Sequence, residues 1–141
     1  MTQEEKQLLL KDLCGRLIYE VKAKINLKPR KVIGVCDECV VVKGKTDIET
    51  SWNNYGLRIE GYDIKPYLRT MSSMTEEELN QLKELGGNII FYSTEKNTWS
   101  IYSHGPEVYD WLNAHHFDYR GLIKKGLALE APEDMYNIKT K

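Results

Sequence analysis

Two thiols three residues apart, Cys36-Asp37-Glu38-Cys39, are the first feature with chemical potential. As thiolates they can supply half of a tetrahedral zinc site, which needs four ligands. Cys14, His104, His115 and His116 are the other soft donors, and no second Cys-x-x-Cys occurs. His115 and His116 are adjacent on an expected helix and point about 100° apart, a poor geometry for joint ligation. A thioredoxin-type pair would open a helix, where the dipole lowers the thiol pKa. This pair falls in an expected hairpin. Buried or edge-strand cysteines are the preferred reading, with Cys36 and Cys39 kept as metal candidates and no cofactor expected.

Nucleophilic catalysis needs a hydroxyl or thiol beside a base and a group that orients the base. Ser103-His104 and Asp110 have the right types and nothing more specific. G-x-S-x-G, P-loop, H-E-x-x-H and G-x-G-x-x-G patterns are absent from the sequence, so no motif supports an enzyme. Glu76 to Glu78 suit a helix start, and Glu133-Asp134 lie in a polar tail. A hydrolase or transferase acting on a nucleotide or metabolite stays as a further alternative. It predicts a concave pocket with converging polar groups and a perturbed titratable side chain.

Charge is more informative in its distribution than in its total. Lys and Arg number 20 against 21 Asp and Glu, net −1 over 141 residues, which does not mark a dedicated nucleic-acid binder. Residues 1–70 nevertheless carry 13 basic and 10 acidic side chains, and residues 71–141 carry 7 and 11. Lys22, Lys24, Lys28, Arg30 and Lys31 gather around one expected strand and its turn. Arg58, Tyr62, Lys65, Tyr67 and Arg69 interleave cations with rings. Lys22, Lys24, Arg30, Lys31 and Arg58 are the nucleic-acid candidates, because such a surface can hold phosphates and stack bases. It can also be a solvated face with rings half covered by lysine stems. Tyr62, Tyr67, Arg69, Tyr119 and Arg120 are the protein-binding candidates, being of types enriched at binding hot spots.

Three helices must position these groups. Thr2 and Glu5 form a capping box ahead of Leu9, Leu10 and Leu13, with Gly15 as the expected stop. Thr75 and Glu78 repeat the signature ahead of Leu79, Leu82 and Leu85, ending at Gly86-Gly87. Gly105-Pro106 opens the third, where Val108, Trp111, Leu112 and His115 follow helical spacing. Between the first two the period becomes two. Leu17, Tyr19, Val21, Ala23 and Ile25 alternate with Ile18, Glu20, Lys22 and Lys24 as a strand broken by Lys28-Pro29-Arg30. Lys31–Cys36 with Cys39–Lys43 forms a hairpin, as does Asn88–Ser93 with Thr98–Tyr102. Leu57 and Ile59 mark another strand. Phe117, Tyr119, Leu122 and Ile123 either clasp the core or form a patch.

The expected fold is α+β, a small curled antiparallel sheet or barrel-like core of about five to six strands with three flanking helices. One domain is expected over 1–141: a helix at 1–15, a β-rich core at 16–70, a helix-hairpin-helix layer at 71–129 and a loose tail at 130–141. No apolar run suits a membrane span, and the acidic start and odd cysteine count point to the cytosol.

Three blocks carry a resemblance: Met1–Cys14; Ile64-Lys65-Pro66-Tyr67-Leu68-Arg69 with Met71-Ser72-Ser73-Met74-Thr75-Glu76-Glu77-Glu78; and His116-Phe117-Asp118-Tyr119-Arg120-Gly121-Leu122-Ile123, continuing to Pro132. They resemble a family of short proteins of gut-bacterial phages, prophages and mobile elements, to which no reaction or ligand is assigned. That family commonly has proline where Ile18 and Thr70 stand and glycine where Asp134 stands. The resemblance implies an accessory protein in the bacterial cytoplasm. The leading expectation is then a non-enzymatic module binding a host or phage protein, with nucleic acid as the alternative partner and no membrane.

Overall fold

The computed structural model describes residues 2–25, 28–36, 39–43, 55–58, 63–93 and 98–136. The chain divides into two compact units, Met1–Tyr67 and Leu68–Lys141. The expected internal boundary of a single domain lay three residues later, at 70/71. Among the described residues, no helix is long and apolar enough to cross a membrane.

The first unit opens with α1 (Gln3–Arg16), held by the expected capping box. The Glu5 N–H donates to Thr2 Oγ1 at 3.0 Å and the Thr2 N–H to Glu5 Oε1 at 2.9 Å. Leu9 and Leu13 are fully buried. The helix does not stop at Gly15. Arg16 continues it and forms a two-pronged ion pair with Asp12, at 2.8 and 3.1 Å, both side chains being shielded from solvent. A 3₁₀ turn over Leu17–Tyr19 follows, closed by Glu20 at φ 61°. The expected strand from Leu17 is thus corrected to β1 (Lys22–Ile25). Alternation at Leu17 and Tyr19 mimicked a strand because a tight turn also throws successive side chains apart.

Strands β2 (Lys28–Cys36), β3 (Cys39–Val42), β4 (Tyr55–Arg58) and β5 (Ile64–Leu68) join β1 in the order β4-β3-β2-β1-β5. All four pairings are antiparallel and the sheet is open, not closed into a barrel. Lys28-Pro29-Arg30 lies inside β2, correcting the expected break. Pro29 pairs with Lys24 and Pro66 with Ala23. The Val32 N–H donates to the Val21 carbonyl at 3.0 Å. Stepping along the ladder from that bond turns the ring nitrogens of both prolines away from β1, so neither costs β1 a hydrogen bond. Val21, Ala23, Val32, Val40, Val42 and Ile64 are buried, as are Leu9 and Leu13 of α1, which contacts β2. A half-wet antiparallel sheet does this: one face meets the core, the other alternates outward.

The second unit contains α2 (Glu76–Glu84), β6 (Gly87–Ser93), β7 (Thr98–Ser103), α3 (Pro106–Ala114) and the short β8 (Leu129–Glu130). β6 and β7 form the expected antiparallel hairpin. Gly87 is needed for close approach, since a Cβ there would meet Val108 Cγ1 at 2.8 Å. Met71, Leu82, Val108, Leu112, Phe117 and Tyr119 form the core, with Trp99, Ile101 and Trp111 packed on it. The 117–123 segment is therefore a clasp. Asp118 fixes its turn by accepting from the Leu122 and Ile123 N–H groups at 2.8 and 2.9 Å. The start of the expected loose tail is also packed: the Ala131 N–H donates to the Leu68 carbonyl at 2.8 Å, and Tyr136 stacks on His116 at 3.6 Å.

Candidate nucleic-acid interface

Hairpin arithmetic gathers the lysines of the first unit. Lys22 lies directly opposite Lys31, and Lys24 lies directly opposite Lys65. The Lys43 N–H donates to the Lys31 carbonyl at 3.0 Å, which sets Lys43 on the other side of Lys31. Lys43, Lys31 and Lys22 thus form a row across three strands. Since the Val32 N–H donates to the Val21 carbonyl directly opposite, Lys22 and Lys31 form the closer type of pair, with Cα atoms about 4.5 Å apart. Lys24 pairs with Pro29 on one side and Lys65 on the other, a second row.

The face itself is the outward one. Lys22, Lys24, Lys31 and Lys65 are half-buried and Lys43 is exposed, while the intervening Val21, Ala23, Val32, Val42 and Ile64 are buried. Lysine stems lying along a sheet with their ammonium heads in water give this burial. Ile33, the extra residue of a bulge opposite Val41, and Pro29 add exposed apolar surface. Glu20 reaches Lys31 at 4.0 Å, but with its own side chain 75% exposed, and such a pair contributes little.

The nucleic-acid candidates therefore separate. Lys22, Lys24 and Lys31 come together. Arg30 does not join them: it pairs with Ala23, whose side chain faces the core, so it belongs to the opposite face. Arg58 pairs with Cys39, and its side chain lies outside what the structure describes. Lys43, Pro29 and Ile33 were missed, and Lys65 was noted among the interleaved cations and rings without being made a candidate. The pairing of Ile25 with Lys28 would have revealed the row, because that register sets 22 opposite 31.

The protein-binding candidates fare differently. Tyr62 lies outside the described residues, and Tyr67 is half-buried on β5. Arg69 is clamped by Glu78 through two bonds of 2.9 Å, and its guanidinium sits 4.2 Å above the Phe117 ring. Burial alone would push the Glu78 carboxyl up. The Arg69 hydrogen bonds, the Thr75 N–H and the charges of Arg69 and His115 outweigh burial and hold it below the usual carboxylate range. Tyr119 is only 7% exposed, donates to Asn113 Oδ1 at 2.9 Å and packs edge-on to Tyr109. Arg120 lies 5.0 Å over the Tyr119 ring. In the second unit these groups hold the core together.

Cys36 pairs with Cys39 in the β2–β3 register, and Cys39 is a half-buried free thiol. Among the described residues, no group of three His, Cys, Asp or Glu side chains is placed to hold a metal. The Ser103 hydroxyl donates to the Gly105 carbonyl at 2.6 Å and His104 is exposed. His115 caps the end of α3 and stacks on Trp111 at 4.1 Å. A cleft of about 490 Å³ lies between Arg69, Thr70 and Ser73 and the Glu130–Tyr136 segment. Two of its lining hydroxyls are engaged: Thr70 Oγ1 accepts from Ser72 Oγ at 3.2 Å and Ser73 Oγ donates to the Thr70 carbonyl at 2.7 Å. Comparison with known proteins finds no matching family model, curated protein or solved structure.

Proposed function

We propose that the protein is a non-enzymatic accessory module that binds nucleic acid through the lysine face of its first unit. One observation carries this reading. Like charges stand directly opposite each other twice, Lys22 with Lys31 and Lys24 with Lys65. Opposed like charges destabilise a sheet, whereas a polyanion lying across the rows turns that repulsion into attraction. The near-neutral total charge is no obstacle, because binding responds to the local field.

The geometry supports this reading over capture of a host or phage protein, since Arg69 and Tyr119 are engaged within the second unit. The three sequence blocks support the setting, a phage or mobile element acting in the bacterial cytoplasm.

Fluorescence anisotropy with a labelled oligonucleotide, titrated from about 50 to 200 mM salt, tests it. Four or five phosphate contacts give a log–log salt slope of roughly −3. The double variant Lys22→Glu/Lys24→Glu should weaken binding by roughly tenfold or more while keeping the fold by circular dichroism. Absence of binding at the lowest salt overturns the proposal.

A further inference from the structure

We infer that the ligand of this face is single-stranded nucleic acid, with a base stacked on Tyr67. The inference rests on the lysine-face reading and goes further, to the form of the polyanion. β1 and β5 pair with Ala23 opposite Pro66 and Lys24 opposite Lys65. The next step of the same register sets Tyr67 beside Lys22. The row Lys43–Lys31–Lys22 therefore ends on an aromatic ring. Tyr67 and Lys65 alternate with the buried Ile64, Pro66 and Leu68, so ring and ammonium share the outward side of β5.

A duplex offers its phosphates outside and hides its base faces, so it uses lysines and leaves an aromatic idle. A single strand offers both. Bases stack on aromatic side chains while cations track the backbone, and each stacked base contributes a sequence-tolerant increment. Pro29 and Ile33 extend the apolar surface among the lysines on β2, where further bases can lie. Along β1, Lys22 and Lys24 are two residues apart, about 6.7 Å, an extended spacing that follows one flexible backbone. The shared chemistry is an unpaired base next to its phosphate, which DNA and RNA both supply.

The test measures the full chain against oligothymidylate and oligouridylate of about 16 nucleotides, a duplex of equal length, inorganic polyphosphate and polyglutamate. Both single strands should bind at least roughly tenfold more tightly than the duplex or the base-free polymers. Tyr67→Ala should lower single-strand affinity roughly fivefold to a hundredfold and leave polyphosphate binding within about twofold. Tyr67→Phe should keep single-strand affinity, which separates stacking from loss of fold. A preference between oligothymidylate and oligouridylate identifies the sugar. Duplex or polyphosphate bound as tightly as the single strands overturns this inference and leaves the lysine-face reading standing. Preference for polyglutamate overturns it in favour of an acidic protein partner. Failure to bind any probe removes both readings.

Discussion

The two units use similar side chains to opposite ends. In the second, each named cation meets a partner of complementary character: Arg69 meets the Glu78 carboxylate and the Phe117 ring, and Arg120 meets the Tyr119 ring. In the first, Arg16 is likewise matched to Asp12, but across the strands of the lysine face Lys22 stands opposite Lys31 and Lys24 opposite Lys65. Cations matched to acids and rings contribute to stability, whereas cations matched to cations oppose it. Composition alone cannot separate these cases. Pairing does, and pairing follows from register and packing.

The contrast is most exposed at Phe117, which is fully buried beneath Arg69. Phe117→Ala should destabilise by about 3–5 kcal/mol in chemical denaturation. A loss under about 1 kcal/mol would mean that the second unit's cation–ring cluster is surface decoration. Glu78→Gln should cost about 2 kcal/mol, because it removes the charge and one of the two acceptors of the Arg69 clamp while its amide oxygen can still accept from the Thr75 N–H. It also has a pH signature. The folded Glu78 carboxyl lies below its ordinary value of 4.5, so its contribution is complete above that value and disappears as pH falls through the lower folded one. Melting curves should show wild type losing its advantage over Glu78→Gln in that acid window.

Tyr119→Phe should cost about 1 kcal/mol through loss of the bond to Asn113, leaving oligonucleotide affinity unchanged. The smallest effect has the opposite sign. Lys24→Glu replaces a like pair with an opposite pair facing Lys65, and should stabilise the fold by roughly 0.2–1 kcal/mol. The same change should reduce the salt dependence of nucleic-acid binding by roughly 0.7 in log–log slope. Destabilisation by Lys24→Glu would blur the contrast between the units.

Local signals were legible in the sequence wherever neighbours decide the structure. Both capping boxes, the proline at the start of α3 and the antiparallel pairing of β2 with β3 act within a few residues, and each is present. The fate of Arg69 was not legible, because its partners Glu78 and Phe117 lie nine and forty-eight positions away. Arg30 was misplaced for a related reason. The break before β2 was expected at Lys28-Pro29-Arg30, whereas Lys28 already pairs with Ile25, and that register puts Arg30 on the face opposite the lysines. His116 shows a third limit. Its stacking on Tyr136 depends on a tail whose composition reads as solvated.

Pro29 and Pro66 also act as a lock on alignment. Each contributes no N–H, and each occupies a site where β1 asks for none. Sliding either neighbour by one position would aim an imide nitrogen at a β1 carbonyl and swing the ammonium groups into the apolar interior. Two ring-closed residues flanking one four-residue strand thus make the misaligned sheet far costlier than the aligned one. The cationic rows are anchored by residues that carry no charge.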